Sequence, residues 1–248
     1  MMNIEITDLA RRFGRTQVVD GVNLRTGPGV FGLLGPNGAG KTSLLRMMAT
    51  VLPPTSGRLR LLGQDPGRYG PRKQIRRKLG YLPQTLGYYP GFTVTEFVEY
   101  FALLKDTPRA RVPAAVAVAV ERVGLGDKAT AKLRTLSGGM LRRAGIAQAI
   151  VNEPALLLFD EPTAGLDPEQ RVQFRELLRD LGKRATVIVS THLVEDVGAA
   201  CGEVALMDQG KIVFKGTPDE LTGRGLGHTA GDAPLERGYS AVLAQARA

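Results

Sequence analysis

Gly35, Pro36, Asn37, Gly38, Ala39, Gly40, Lys41 and Thr42, with Ser43 behind them, read G-x-x-x-x-G-K-T, a pattern whose chemistry is the gripping of phosphate. Glycines at 35, 38 and 40 let backbone N–H groups turn inward around phosphate oxygens, and the positive end of the helix that should follow reinforces the cradle. Lys41 is placed to reach the β and γ phosphates, which makes it a catalytic candidate. Thr42 offers a hydroxyl to magnesium, and Asp160, closing the apolar run Leu156-Leu157-Leu158-Phe159, suits the same ion as a carboxylate ligand. Glu161 beside it is either a solvated acid past a strand end or the group that polarises a water attacking the γ-phosphate; its neighbour favours the second. His192, in Ser190-Thr191-His192-Leu193, is either an ordinary loop histidine or a member of the same site, and its place after a strand end favours membership. Ser137, ahead of Gly138 and Gly139, can cap a helix while the glycine amides stay open to an anion; a plain helix cap is the alternative.

Holding these residues together takes alternating strands and helices. Short β-like runs span Ile4 to Leu9, Gln17 to Leu24, Val30 to Leu34, Arg58 to Leu62 and Leu79 to Leu82, punctuated by glycine and proline. From Thr93 the spacing turns helical, in Val94, Phe97, Val98, Phe101 and Leu104, then Val112 to Val123, then Met140 to Val151. Strand texture returns at Ala155 to Phe159, Ala185 to Ser190, Val204 to Met207 and Lys211 to Phe214, with a helix from about Pro168 to Gly182 between the first two. An α/β protein follows, with a mostly parallel, helix-covered sheet and the ligand at the strand C-terminal ends. We expect one domain over 1–221, with 1–84 and 154–221 as the α/β core and 85–153 as a helical insert. Thr217-Pro218-Asp219-Glu220 reads as a capping box. Beyond Leu221 glycine and alanine dominate without clear periodicity, so 222–248 is expected to be a tail of uncertain order.

The chain has 248 residues, 43% apolar and 23% charged, enough to bury a core. A balance of 33 basic against 24 acidic residues favours phosphates as partners, whether of nucleotides, nucleic acids or lipid headgroups. Arg68, Arg72, Lys73, Arg76, Arg77 and Lys78 concentrate that excess; the plain reading is a solvated helix face, the sharper one a membrane-facing patch. One cysteine, Cys201, excludes an internal disulfide, and with two histidines it cannot complete a structural zinc site. The longest apolar run, Ala114 to Val120, is far short of the roughly 18 residues a membrane span needs, so the expectation is a cytosolic chain that neither spans a membrane nor is secreted.

Taken in order, these motifs resemble the nucleotide-binding subunit of ATP-binding-cassette (ABC) transporters across almost all of Ile4 to Leu221. The resemblance identifies Gly35 to Thr42 as Walker A, Gln84 as the Q-loop, Leu136 to Met140 as the signature, Leu156 to Glu161 as Walker B, Gly165-Leu166-Asp167 as the D-loop and His192 as the switch histidine. It implies a P-loop (RecA-like) core with an antiparallel β-subdomain and an inserted all-helical subdomain, working as a magnesium-dependent ATPase. ATP and Mg2+ are the implied cofactors, the ion being held by Thr42, Asp160 and Gln84. Two cassettes, identical or paralogous, would pack head to tail, so that Ser137, Gly138 and Gly139 act on the nucleotide held by the other copy. Phe13, where the family often has tyrosine, would stack on adenine; its alternative is a core phenylalanine. A separate transmembrane permease subunit is the implied partner, with the cassette peripheral on the cytoplasmic face of the cell membrane, no nucleic acid partner, and a likeness to exporters of the ABC-2 type.

Two positions depart from the family pattern. Met140 stands where the signature usually ends in glutamine, which puts polar contact to the nucleotide's sugar in doubt. The D-loop begins Thr163-Ala164-Gly165 in place of the commoner serine-alanine pattern. A soluble cassette ATPase acting on nucleic acid or ribosomes is the rival reading, supported by the charge but lacking a second cassette, a long heptad insert or a cysteine cluster. A P-loop kinase or GTPase would leave the Ser137 motif unexplained.

Overall fold

Alternating apolar residues build the first sheet. In the computed structural model, which describes residues 2–226 and 230–248, β1 (Ile4–Phe13) buries Ile4, Ile6 and Leu9 and β2 (Thr16–Thr26) buries Val19, Val22 and Leu24. The chain then enters β3 (Gly29–Leu34), the glycine loop and α1 (Lys41–Met48), followed by β4 (Ser56–Leu61), α2 (Tyr69–Arg77) and β5 (Leu79–Leu82). Strands β2, β1 and β4 pair antiparallel in that order as a three-stranded sheet. β1 runs past Leu9 because the register shifts between Ile6 and Leu9, where Asp8 adopts φ 47. Such a bulge breaks the two-residue period and so hides the strand's second half in the sequence.

Three helices follow β5: α3 (Val94–Leu104), α4 (Val112–Arg122) and α5 (Gly138–Ile150). Thr93 and Glu96 close a capping box at the start of α3, with Thr93 N–H donating to Glu96 Oε2 over 2.7 Å. Phe97, Val98, Val116, Val120, Ile146 and Ile150 meet in the core that these helices share. The chain then returns to sheet and helix with β6 (Leu156–Asp160), α6 (Pro168–Gly182), β7 (Thr186–Thr191), α7 (Val194–Ala200), β8 (Glu203–Asp208), β9 (Lys211–Gly216) and α8 (Pro218–Gly223). The order β5-β6-β7-β3-β8-β9 forms a six-stranded sheet, parallel except that β9 runs against β8. Every residue of β6 and β7 is buried, as expected of strands covered on both faces. Among the described residues no helix is long and apolar enough to cross a membrane.

One expectation is corrected. Within 222–248, expected to be a tail of uncertain order, Pro234–Arg247 is an ordered 14-residue helix, α9. Its anchors are Leu235, Tyr239, Val242 and Leu243, all packed on the main core. They recur at i, i+4, i+7 and i+8, a helical period diluted by the alanines and glycine around them. Gly238 lets α9 close on α8, since a Cβ there would lie 1.9 Å from Leu221 O. The box at Thr217 forms as the sequence suggests, with Glu220 N–H donating to Thr217 Oγ1 over 3.1 Å. The basic stretch lies on α2, where Ile75 alone is buried and Arg76 and Arg77 bond to Thr50 and Asp106, the arrangement of a solvated helix face.

Candidate functional site

Parallel pairing sets the site at one sheet edge. β3, β6 and β7 lie side by side, so the loop after Leu34, the acids closing β6 and the turn after Thr191 all emerge together. Gly40 turns the glycine loop into α1 with φ 103, and a Cβ there would stand 2.4 Å from Val18 O, so the loop can lie against β2 only as glycine. Ala39 O accepts from Gly210 N–H at 3.0 Å, tying the loop to the β8–β9 turn.

Lys41 is buried, with Nζ donating to Gly35 O at 2.6 Å and Pro36 O at 3.0 Å. Burial pulls its ammonium below the usual lysine range, against the attraction of Glu161 and Asp160. Asp160 is fully buried, and burial raises its carboxyl above the ordinary aspartate value while a hydrogen bond from Thr42 opposes the rise. Thr42 Oγ1 donates to Asp160 Oδ1 over 3.2 Å, and Asp160 Oδ2 has no hydrogen-bond partner among the described residues. A buried carboxylate oxygen without a partner, beside a hydroxyl and a phosphate loop, fits a hard cation held by one carboxylate and by phosphate oxygens.

Glu161 has φ 50, a left-handed conformation that costs a non-glycine residue on the order of 1–3 kcal/mol. Its N–H donates to Ser190 O at 2.9 Å, and its carboxylate oxygens both lie 3.0 Å from His192 Nδ1. Glu161 is nearly buried while His192 is half exposed. Strain of this kind persists only where the surroundings hold it, and here it aims a carboxylate into the cleft.

That cleft, about 250 Å³, is lined by Val18, by Asn37 through Ser43, by Gln84 and by Glu161. Val18 escaped the sequence reading because its role comes only from the packing of β2 beneath the loop. Ser137, Gly138 and Gly139 do not line the cleft. Ser137 is the N-cap of α5, accepting from Met140 N–H over 3.2 Å, and both Ser137 and Gly138 are exposed. Gly139 packs against the D-loop segment, where a Cβ would meet Gln170 Oε1 at 2.9 Å and Gly165 O at 3.0 Å. Asp167 caps α6 through Gln170 N–H at 2.8 Å. Met140 lies half-buried against the helical core. Phe13 is 46% exposed at the end of β1, with the Arg11 guanidinium 4.5 Å from its ring centroid, so the core alternative falls away.

One further residue gathers around the acids. Arg142, on α5, is buried against the main chain of Pro83, Gln84, Asp160, Glu161 and Pro162. The signal for it was available: an arginine one turn from Ile146 and two from Ile150, on the apolar face of its helix.

A parallel sheet with a glycine loop between β3 and α1 and an acidic pair closing the neighbouring strand defines a P-loop nucleotide-binding cassette. The family model described as ABC transporter matches residues 19–164, and the chain belongs to that family. It is 40% identical over 225 residues to the Nod factor export ATP-binding protein I of Ralstonia nicotianae, covering 88% of this chain and 68% of that protein. Two solved structures share the fold. An ATP-binding subunit of an ABC transporter superposes with a TM-score of 0.85 at 24% identity, over 97% of this chain and 99% of that one. A dimeric bacterial ABC transporter cassette gives 0.78 at 24% identity, over 86% and 98%. Membership in this family disfavours the ribosome or nucleic acid reading and the kinase or GTPase reading alike.

Proposed function

We propose that the chain is the magnesium-dependent ATPase of a membrane exporter, closing head to tail on a second cassette around ATP and passing that closure to a separate transmembrane subunit. One observation carries the dimer: the exposed Ser137-Gly138 tip stands outside the cleft that the same chain's glycine loop forms. An anion grip with nothing of its own chain to grip suits the triphosphate of a neighbour. The relatives named for export support the direction of transport, and the dimeric cassette of the same fold supports the pairing. The absence of a membrane-crossing helix among the described residues agrees with a peripheral seat on the cytoplasmic face, beside a permease partner.

Within each site, Gly35 through Gly40 would present N–H groups to the phosphates, and Lys41 would exchange its two loop carbonyls for β- and γ-phosphate oxygens. Thr42, Asp160 and Gln84 would hold the magnesium ion, which when bound neutralises phosphate charge. Glu161 would polarise the attacking water, His192 would keep that carboxylate turned to the γ-phosphate, and Phe13 would offer its exposed face to adenine.

Glu161→Gln tests the assignment. The variant should bind ATP, hydrolyse it roughly 10²- to 10⁴-fold more slowly than the parent, and sediment as a dimer with ATP and magnesium. Chelating the magnesium should stop turnover in the parent. Parent-like hydrolysis would remove Glu161 from its role, and a variant that stays monomeric at saturating ATP, with and without its membrane partner, would remove the dimer.

A further inference from the structure

A guanidinium carries five N–H donors in a rigid fork, and in Arg142 all five find main-chain carbonyls. Nη1 donates to Pro83 O at 2.8 Å and Gln84 O at 3.0 Å. Nη2 donates to Asp160 O and, at 2.5 Å, to Glu161 O. Nε reaches Pro162 O at 3.4 Å. The acceptors belong to the loop that carries Gln84 and to the end of β6 with the turn that carries Glu161, and the donor belongs to the helix whose first turn is the signature. Burial pulls the guanidinium below its usual range, and the charges of Asp160 and Glu161 oppose that pull.

We propose that Arg142 is a positioning residue for hydrolysis: it clamps the Gln84 loop and the backbone of Glu161 to α5 and so holds Glu161 in its left-handed conformation, aimed into the cleft. Two main-chain bonds also hold that residue, from Glu161 N–H to Ser190 O at 2.9 Å and from Ala164 N–H to Glu161 O at 3.3 Å, but neither ties it to α5. The carbonyls of Asp160 and Glu161 both turn toward α5, and the fork is what gives them a shared partner there. A lysine at this position would concentrate three donors on one atom and could serve one loop at a time. The role rests on the reading of Glu161 as the water-polarising group.

The test compares Arg142→Lys and Arg142→Gln with the full-length parent, alone and in a Glu161→Gln background. Steady-state hydrolysis should show kcat reduced roughly 10- to 100-fold, the scale on which misplacing a reacting group acts, with KM for ATP and the affinity for a fluorescent ATP analogue within about 3-fold of the parent. In the Glu161→Gln background the Arg142 penalty should disappear, because residues acting as one unit do not add. Parent-like kcat, a penalty that persists in full without the carboxylate, or loss of the cooperative melting transition in both variants would each overturn the role. Failure of the underlying reading looks different: Glu161→Gln alone would then turn over like the parent, whatever Arg142 does.

Discussion

Thr163 and Asp196 give the sharpest test of how the acidic loop is held to the histidine turn. Thr163 Oγ1 donates to Asp196 Oδ2 over 2.7 Å, and both residues are buried, at 2% and 6% exposure. Thr163 follows Glu161 by two positions and Asp196 follows His192 by four, so this bond ties the loop that carries Glu161 to the helix that follows the His192 turn. Thr163→Val keeps the volume and removes the donor, leaving a buried carboxylate oxygen without its partner. Hydrogen bonds to charged groups contribute about 1.5–3 kcal/mol, and a chain of this size loses about 2–4 °C of Tm per kcal/mol, so the variant should melt about 3–12 °C below the parent. Calorimetry on the nucleotide-free protein measures this without involving the site chemistry. Thr163→Ser retains the hydroxyl and gives up a methyl group, a loss of about 1 kcal/mol. The valine penalty should shrink in an Asp196→Val background, where neither polar group is stranded. A Thr163→Val protein melting within about 1 °C of the parent, or one whose penalty survives intact without Asp196, would refute the reasoning.

Two further outcomes can be read independently. Cys201 is buried at the end of α7, and burial, with a smaller push from Asp196, raises its thiol to about 12. The folded protein should therefore resist iodoacetamide at mildly alkaline pH while the denatured chain is modified fully; equal labelling of the two by mass would contradict this placement. Arg247 pins α9 to Asp208, with Nε to Oδ2 at 2.8 Å and Nη2 to Oδ1 at 2.9 Å, and the hydrogen bond from Arg247 holds the Asp208 carboxyl below its ordinary 3.8. A depressed carboxylate stabilises the fold above its unfolded value and loses that contribution as pH falls through the folded one. Arg247→Gln should consequently melt below the parent at neutral pH, and the gap should narrow as pH drops below 3.8. A gap of the same size at about pH 3 would assign the helix's attachment to apolar packing alone.

Legibility followed how local each constraint is. The glycine loop could be read because its chemistry needs contiguous residues, and the strand ends bearing Asp160 and His192 because buried parallel strands are unbroken apolar runs. Ser137 read as a cap for the same local reason. The second half of β1 was hidden by one bulge at Asp8, and α9 by alanine and glycine between its four anchors. Val18 was beyond reach from pattern alone, since nothing near it in the chain announces that a loop some twenty residues later will rest on it. Phe13 could be assigned only once its exposure was known, because a phenylalanine at a strand end fits a core and a stacking platform equally well.

Both departures from the family pattern resolve into contacts within the chain. Met140 turns a flexible thioether against the half-buried side of the helical core, where the amide of glutamine would need partners that apolar neighbours do not supply. Thr163 spends its hydroxyl on Asp196 and not on the cleft. Neither change reaches the exposed Ser137-Gly138 tip or the oxygens of Asp160, so the substitutions alter how the loops are braced and leave the phosphate-facing groups as they are. Arg142 belongs to the same layer. Its acceptors are carbonyls, which every residue type carries, so the brace places no demand on the side chains at positions 83, 84 and 160–162 and falls wholly on the geometry of one arginine.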